Sequence, residues 1–433
     1  MPAPNPRTHD VRLKQHRAGL LMTVLAAATM ASSAIAGEST TERARYRGEQ
    51  RRKVQLAREI NDDLSAAIPK RNRTQEEAFK NVMRTGTRPG TLEFQALQEG
   101  LKWEIYRATK SEFKTNRTAF QGVKKHLRQG ILHLAGQSIA GRREREEFRQ
   151  LVCTEVLKLL KDLLKNNFQA RSLAIELIPA LEINTDSKQR QILRAAADAL
   201  VEVLDDKEQP DAIKLRATES IVLYLENVNP GAQIEIKFAR AVRDELKSRL
   251  PATPYQLHMI DALSRIRAAR EVVGVNRRPI VIETLVSVIQ DKERDPVVRC
   301  SAAGALGTVG IDQQIDLESL AWKVAQLAAE MGAAYNQNSE YEFWGTCSLE
   351  LFLAFHHERA PAPGQQPADG ILNRAPGSML VRQAYEHVLK ICLSMLDHPE
   401  QIDQALVVGA AAWVKANQPK NLRFDPSSPP VSQ

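Results

Sequence analysis

Residues 295–310 read DPVVRCSAAGALGTVG, and the fold follows from this stretch. Asp295 is a helix-capping residue, and Pro296 after it suits a first helical turn, where its missing N–H would have no partner anyway. Ala302, Ala305, Leu306 and Val309 then fall on one face at helical spacing. Their small size lets a neighbouring helix come close, and Gly307 and Gly310 are expected to end the segment. Just upstream, Val281, Leu285, Val288 and Ile289 line one face of another amphipathic helix. The stretch therefore predicts a pair of helices joined by a short turn.

The pair recurs. Pro210, Pro254 and Pro296 each stand before or at the start of a helix, at intervals of 44 and 42 residues, with another helix ahead of each. Pro399 follows 103 residues later, which equals two periods plus an insertion rich in Pro and Gly at 358–378. One helix pair cannot cover its own apolar face, so pairs repeated at this period stack and share a core. About six units span 148–416, with a helical cap at 91–147 in front of them and a polar, Pro-rich tail at 417–433 predicted to be disordered.

The run at 295–310 resembles the second helix of a HEAT repeat in its Asp-Pro turn, its Val-Arg pair and its Ala-Ala-x-Ala-Leu-Gly packing face. The segment 210–225, with Leu215-Arg216-Ala217, resembles it less closely, and Arg171 sits at a similar place 45 residues before Arg216. The unit around Leu257 lacks the arginine. Resemblance to the HEAT/armadillo-like family implies a right-handed α-solenoid whose second helices line a concave, protein-binding face. It also implies structural roles for Asp295 and Arg299, with Pro210, Arg216, Pro254, Pro296 and Pro399 marking the repeat turns.

Composition agrees with an all-α fold. Of 433 residues, 43% are hydrophobic and 26% charged, ordinary for a folded protein, while aromatics are only 5%. Alternating β-branched runs that would announce strands are nearly absent. Cys153, Cys300, Cys347 and Cys392 are far apart without a CxxC pair, which argues against a zinc site. Each lies in an apolar helical context, and a disulfide between some of them is left open.

The net charge of +8 is unevenly spread, with 25 basic and 15 acidic side chains at 37–150 and 31 against 36 at 151–433. Within 37–90, a charged helix is expected to end near Pro69, and a hinge at 85–90. The basic cluster at 43–58 is interleaved with Glu42, Glu49 and Glu59, a pattern of helix-surface ion pairs. Only Tyr46 interrupts those charges, so no stacking platform for a nucleic-acid partner is present.

Candidate chemistry is sparse. His356, His357 and Glu358 form the one dense set of metal-ligating side chains, yet adjacent helical residues point about 100° apart and do not converge. Iron-binding HEAT-like enzymes spread several His-Glu pairs over their repeats. Here only His357-Glu358 and the reversed Glu386-His387 occur. No phosphate-binding loop, dinucleotide fingerprint or nucleophile elbow is present. The expectation is a non-catalytic protein-binding scaffold without cofactor or metal. The alternative is a ligand-binding or enzymatic site where the 358–378 loop covers Trp322 and Trp344.

At the N-terminus, Arg12, Lys14 and Arg17 precede an uncharged run at 18–36 that closes on Ala34-Ile35-Ala36 before Gly37. Basic region, apolar region and A-x-A site in that order form a cleaved export signal, placing the protein in the periplasm or outside the cell. A rival reading keeps 18–36 as a membrane anchor, because the basic residues that follow disfavour export of that flank. Cleavage between Ala36 and Gly37 predicts that N-terminal sequencing of the protein from its native host starts at Gly37. A start upstream, with retention in the membrane fraction, selects the anchor.

Overall fold

The computed structural model describes residues 62–66, 68, 72–110, 112–184, 191–227, 231–248, 253–266, 270–273, 276–309, 315–356, 370–397 and 400–419. The expected signal or anchor at 1–36, the basic cluster at 43–58 and the tail beyond Pro419 lie outside them, while 62–66, at the end of the charged helix expected over 38–66, form a turn and not a helix. The described residues are mostly helical with little sheet. Their contacts form two compact units, Gly48–Arg270 and Glu271–Gln433.

In the first unit, α1 (Arg73–Thr85) opens with a capping box between Asn72 and Gln75. It folds back on α2 (Leu92–Tyr106), where a Cβ at Gly100 would lie 2.1 Å from the Phe79 ring. The expected hinge is a turn with Gly86 and Gly90 both at φ +86°, a conformation that glycine adopts without strain. A four-residue helix, α3 (Glu112–Thr115), and α4 (Arg117–Lys125) lead into a π-helical segment at His126–His133.

The charged run at 142–147, the last part of the expected cap, is continuous with the first expected repeat helix and forms the first turns of α5 (Arg142–Leu163). Arg142 pairs with Glu146 and Arg143 with Glu147, each at 2.9 Å and four residues apart, so the charges extend the helix rather than break it. Arg149 on this helix is buried and donates to the carbonyls of Glu182, His133 and Ala135.

Successive pairs follow. Helix α6 (Phe168–Leu177) is capped by Asn167, and α7 (Arg194–Asp205) precedes α8 (Asp211–Asn227). Then come α9 (Ala232–Ser248) and α10 (Thr253–Arg265). First helices touch first helices, α5 with α7 and α7 with α9, while α6, α8 and α10 contact one another in turn. Side-chain ties cross at about one period: Lys161 to Glu202 and Lys237 to Asp198 between first helices, and Ser220 Oγ to the Ile175 carbonyl between second helices. Two short strands, β1 (Glu182–Asn184) and β2 (Gln191–Ile192), pair antiparallel between α6 and α7. With β3 (Arg270–Val273) and β4 (Asn276–Pro279), each only two to four residues long, they are the strands among the described residues, in keeping with the near absence of strand patterns.

In the second unit, α11 (Ile280–Gln290) pairs with α12 (Pro296–Thr308), and α13 (Leu317–Gln337) precedes α14 (Trp344–Phe355). Helices α12 and α14 lie parallel and close. A Cβ at Gly304 would come 3.1 Å from the Glu350 carbonyl oxygen, and one at Gly307 would come 2.5 Å from that of Leu353. Gly307 is thus a packing position inside the helix, not its stop, and Gly310 is outside the described residues.

The insertion is partly helical, with α15 (Gly370–Arg374) docked on α14 and Arg374 donating to the Val309 carbonyl. Residues 357–369 are not described. The last pair departs from the pattern: α16 (Met379–Leu396) contacts both α13 and α14, and α17 (Gln404–Ala416) packs on α13 and α16. Pro399, expected at the start of that last helix, lies outside the described residues, and α17 opens at Gln404 under an Asp403 cap.

Lys214 on α8 and Glu245 on α9 form a 2.7 Å ion pair, with the two side chains only 5% and 7% exposed. Removing one partner strands a buried charge, which costs about 3–5 kcal/mol. Lys214→Met should therefore lower urea stability strongly, and Lys214→Met with Glu245→Leu should recover most of the loss.

Candidate functional site

Asp295 accepts from the Val297 amide at 3.1 Å and so caps α12, while the Tyr341 hydroxyl donates to the same carboxylate from the loop before α14. Burial first, and Asp295 second, push the Tyr341 phenol well above its ordinary range. Arg299, four residues after the cap, donates through Nε to the Ile289 carbonyl at 2.8 Å and through Nη2 to Glu330 on α13. One guanidinium thereby ties three successive helices.

Arg171 stands in the same place, four residues after the Asn167 cap. It donates to the Asn166 carbonyl and to Gln209 Oε1. The equivalent position after Pro210 is Lys214, whose carboxylate partner is 31 residues downstream, as Glu330 is from Arg299. Arg216 is two positions further on, on the outer side of α8, half-exposed and paired with Glu176. The assignment of Arg216 as the repeat arginine is corrected accordingly. Gln256, 4% exposed, fills the position in the next unit. Positions 171, 214, 256 and 299 are thus spaced 43, 42 and 43 residues apart. Sequence reasoning missed Lys214 because it looked for arginine, although it stands four residues on from Pro210 as Arg299 stands four on from its cap Asp295.

Of the other expected repeat turns, Pro210 immediately precedes α8, Pro254 is the second residue of α10, and Pro296 is the first of α12. His356 follows α14, its ring stacked on Phe352 and set edge-on to Tyr385, while His357 and Glu358 lie outside the described residues. Among the described residues, no cluster of three or more His, Cys, Asp or Glu side chains is placed to hold a metal. All four cysteines are buried and unbridged. Burial pushes the Cys153 and Cys392 thiols up to about 12, and raises that of Cys300, which lies beside Cys347.

A cavity of about 370 Å³ opens beside Arg299. Its floor is one face of α13, formed by Trp322, Lys323, Gln326, Leu327 and Glu330. The end of α11, Lys292 and the segment Gln418-Pro419 close its sides. Trp322 is held by its indole N–H, which donates to the Val414 carbonyl at 2.8 Å. Trp344 is elsewhere: it is buried against Tyr335 and Tyr341 and donates to the Asn338 carbonyl. Trp344 does not line this cavity, so Trp322 and Trp344 do not share it, and most of the 358–378 loop expected to cover them lies outside the described residues.

Lys323 is 5% exposed. Its ammonium sits 5.0 Å over the Trp322 ring and donates to Gln326 Oε1 at 2.8 Å. Burial depresses its pKa to about 8, Glu330 opposes that shift, and Arg299 adds to it. The visible signal in the sequence is a lone cation inside the apolar run LAWKVAQLAA at 320–329.

An amine whose folded pKa is depressed binds fewer protons in the folded state than in the unfolded state between about pH 8 and its ordinary value near 10.5. The contribution of Lys323 to folding stability therefore rises with pH across that window, against the opposite trend from the buried thiols, whose raised pKa keeps them protonated in the folded state. The difference in urea midpoint between the wild type and Lys323→Met, measured from pH 7 to 10.5, should shift in favour of the wild type as pH rises. No family model, curated protein or solved structure matches this chain.

Proposed function

We propose that this protein is a non-catalytic, exported scaffold that binds another protein through the second helices of HEAT-like repeats stacked as a right-handed α-solenoid. The observation that carries this reading is the recurrence at 171, 214, 256 and 299. A polar group is buried at the same helical position every 42 or 43 residues, and at 171, 214 and 299 it bonds to a side chain further along its own unit. Contacts of first helix with first helix and second with second, as in α5 to α10, are what stacked repeats require.

A stacked array leaves one side of each second helix uncovered for a partner. On α8 that side presents Glu219 and Leu223, the latter 51% exposed despite being apolar. The export half of the proposal rests on the signal pattern at 1–36.

A photo-crosslinking residue placed at 219 or 223 should capture a protein in the native host, while one at the exposed first-helix positions 198 or 237 should not. Equal capture from both faces, or capture from neither, would sink the proposal that second helices form the binding surface.

A further inference from the structure

The charges around the α13 cavity do not balance. Arg299 and Lys323 are both almost fully buried, and among the described residues lining the cavity Glu330 is the one carboxylate. Glu330 is engaged by the Arg299 guanidinium. That leaves the Lys323 ammonium with a neutral amide oxygen and an aromatic face as its partners. Lys292 at the rim adds a further cation. A buried ammonium that must share one carboxylate with a guanidinium is costly unless a further anion reaches it.

The cavity is also of a size that admits a small molecule or a side chain. At about 370 Å³ it falls within the range of ligand pockets, with an apolar wall from Trp322 and Leu327 beside the polar group. We propose that this cavity is a binding site for a carboxylate, which reaches Lys323 while its apolar body packs against Trp322. The carboxylate belongs either to a free organic acid or to an acidic side chain of a polypeptide. Arg299 bonds Glu330, so that one carboxylate is shared between two cations and Lys323 is only partly compensated. The site stands independently of the scaffold reading, since it needs only the local packing of α11, α12 and α13.

Titration calorimetry on the full chain, with benzoate, neutral benzamide and a blocked peptide whose single carboxylate is one Glu side chain, tests the assignment. Benzoate or the peptide should bind saturably, with benzamide at least tenfold weaker than benzoate. Lys323→Met should weaken the bound carboxylate at least tenfold, Lys323→Arg should restore part of the affinity, and Lys292→Met should weaken it two- to threefold. Because Lys323→Met removes a partly compensated charge, its thermal unfolding should match or exceed that of the wild type. Binding of the peptide without benzoate assigns the carboxylate to a polypeptide, and binding of benzoate alone assigns it to a free acid. The proposal is overturned if neither carboxylate binds, if benzoate binds and benzamide binds equally well, or if Lys323→Met binds the carboxylate as the wild type does.

Discussion

The buried polar group at the fourth residue of α6, α8, α10 and α12 is the constraint on which the packing of these helices depends. A lone pair leaves apolar surface bare on two sides, and hydrophobic contact alone does not select one sliding position over another. A buried donor does, because it is satisfied at one register only. Arg171 and Arg299 each use their fork to join a carbonyl before their own helix to a side chain further along the chain. Lysine has no fork, so Lys214 relies on one buried carboxylate, Glu245. At Gln256 a neutral amide occupies the same site, so the position keeps its polarity while its charge varies.

Close approach of backbones supplies the second half of the register in the 271–433 unit. Gly304 and Gly307 face the backbone of α14 one turn apart, at Glu350 and Leu353. Both contacts have the same offset of 46 residues, so α12 and α14 run in the same direction at the separation of one repeat. Ser348 Oγ continues this series by donating to the Cys392 carbonyl on α16 at 2.7 Å. The pattern then ends, since α16 touches both α13 and α14, and α17 packs against α13.

The cavity beside α13 arises from the same device. Arg299, engaged in tying α11 to α13, occupies the carboxylate of Glu330, and Lys323 one face away is left with Gln326 and an indole. A structural tie and a candidate binding group thus share one helix face, and the first sets the electrostatics of the second. Cysteines and histidines, which carried the chemical expectations, contribute little here: the thiols are buried, and His356 is stacked between rings.

Helix pairing and period were legible in the sequence, because caps, prolines and apolar spacing are local properties. Asp295, Pro296 and the small face after them dictate a helix wherever the chain goes. Local pattern could not say which residue in each turn is buried: Arg216 and Lys214 are both cations two positions apart on one helix, and only packing places one inside and the other half outside. The same holds for Gly307, which reads as a helix end until the backbone of α14 is seen against it. Lys323 and Trp322 were visible as residues, but their site was not. It is made by Arg299 and Glu330 meeting across helices, and the balance of charge in a cavity is a property of tertiary structure alone.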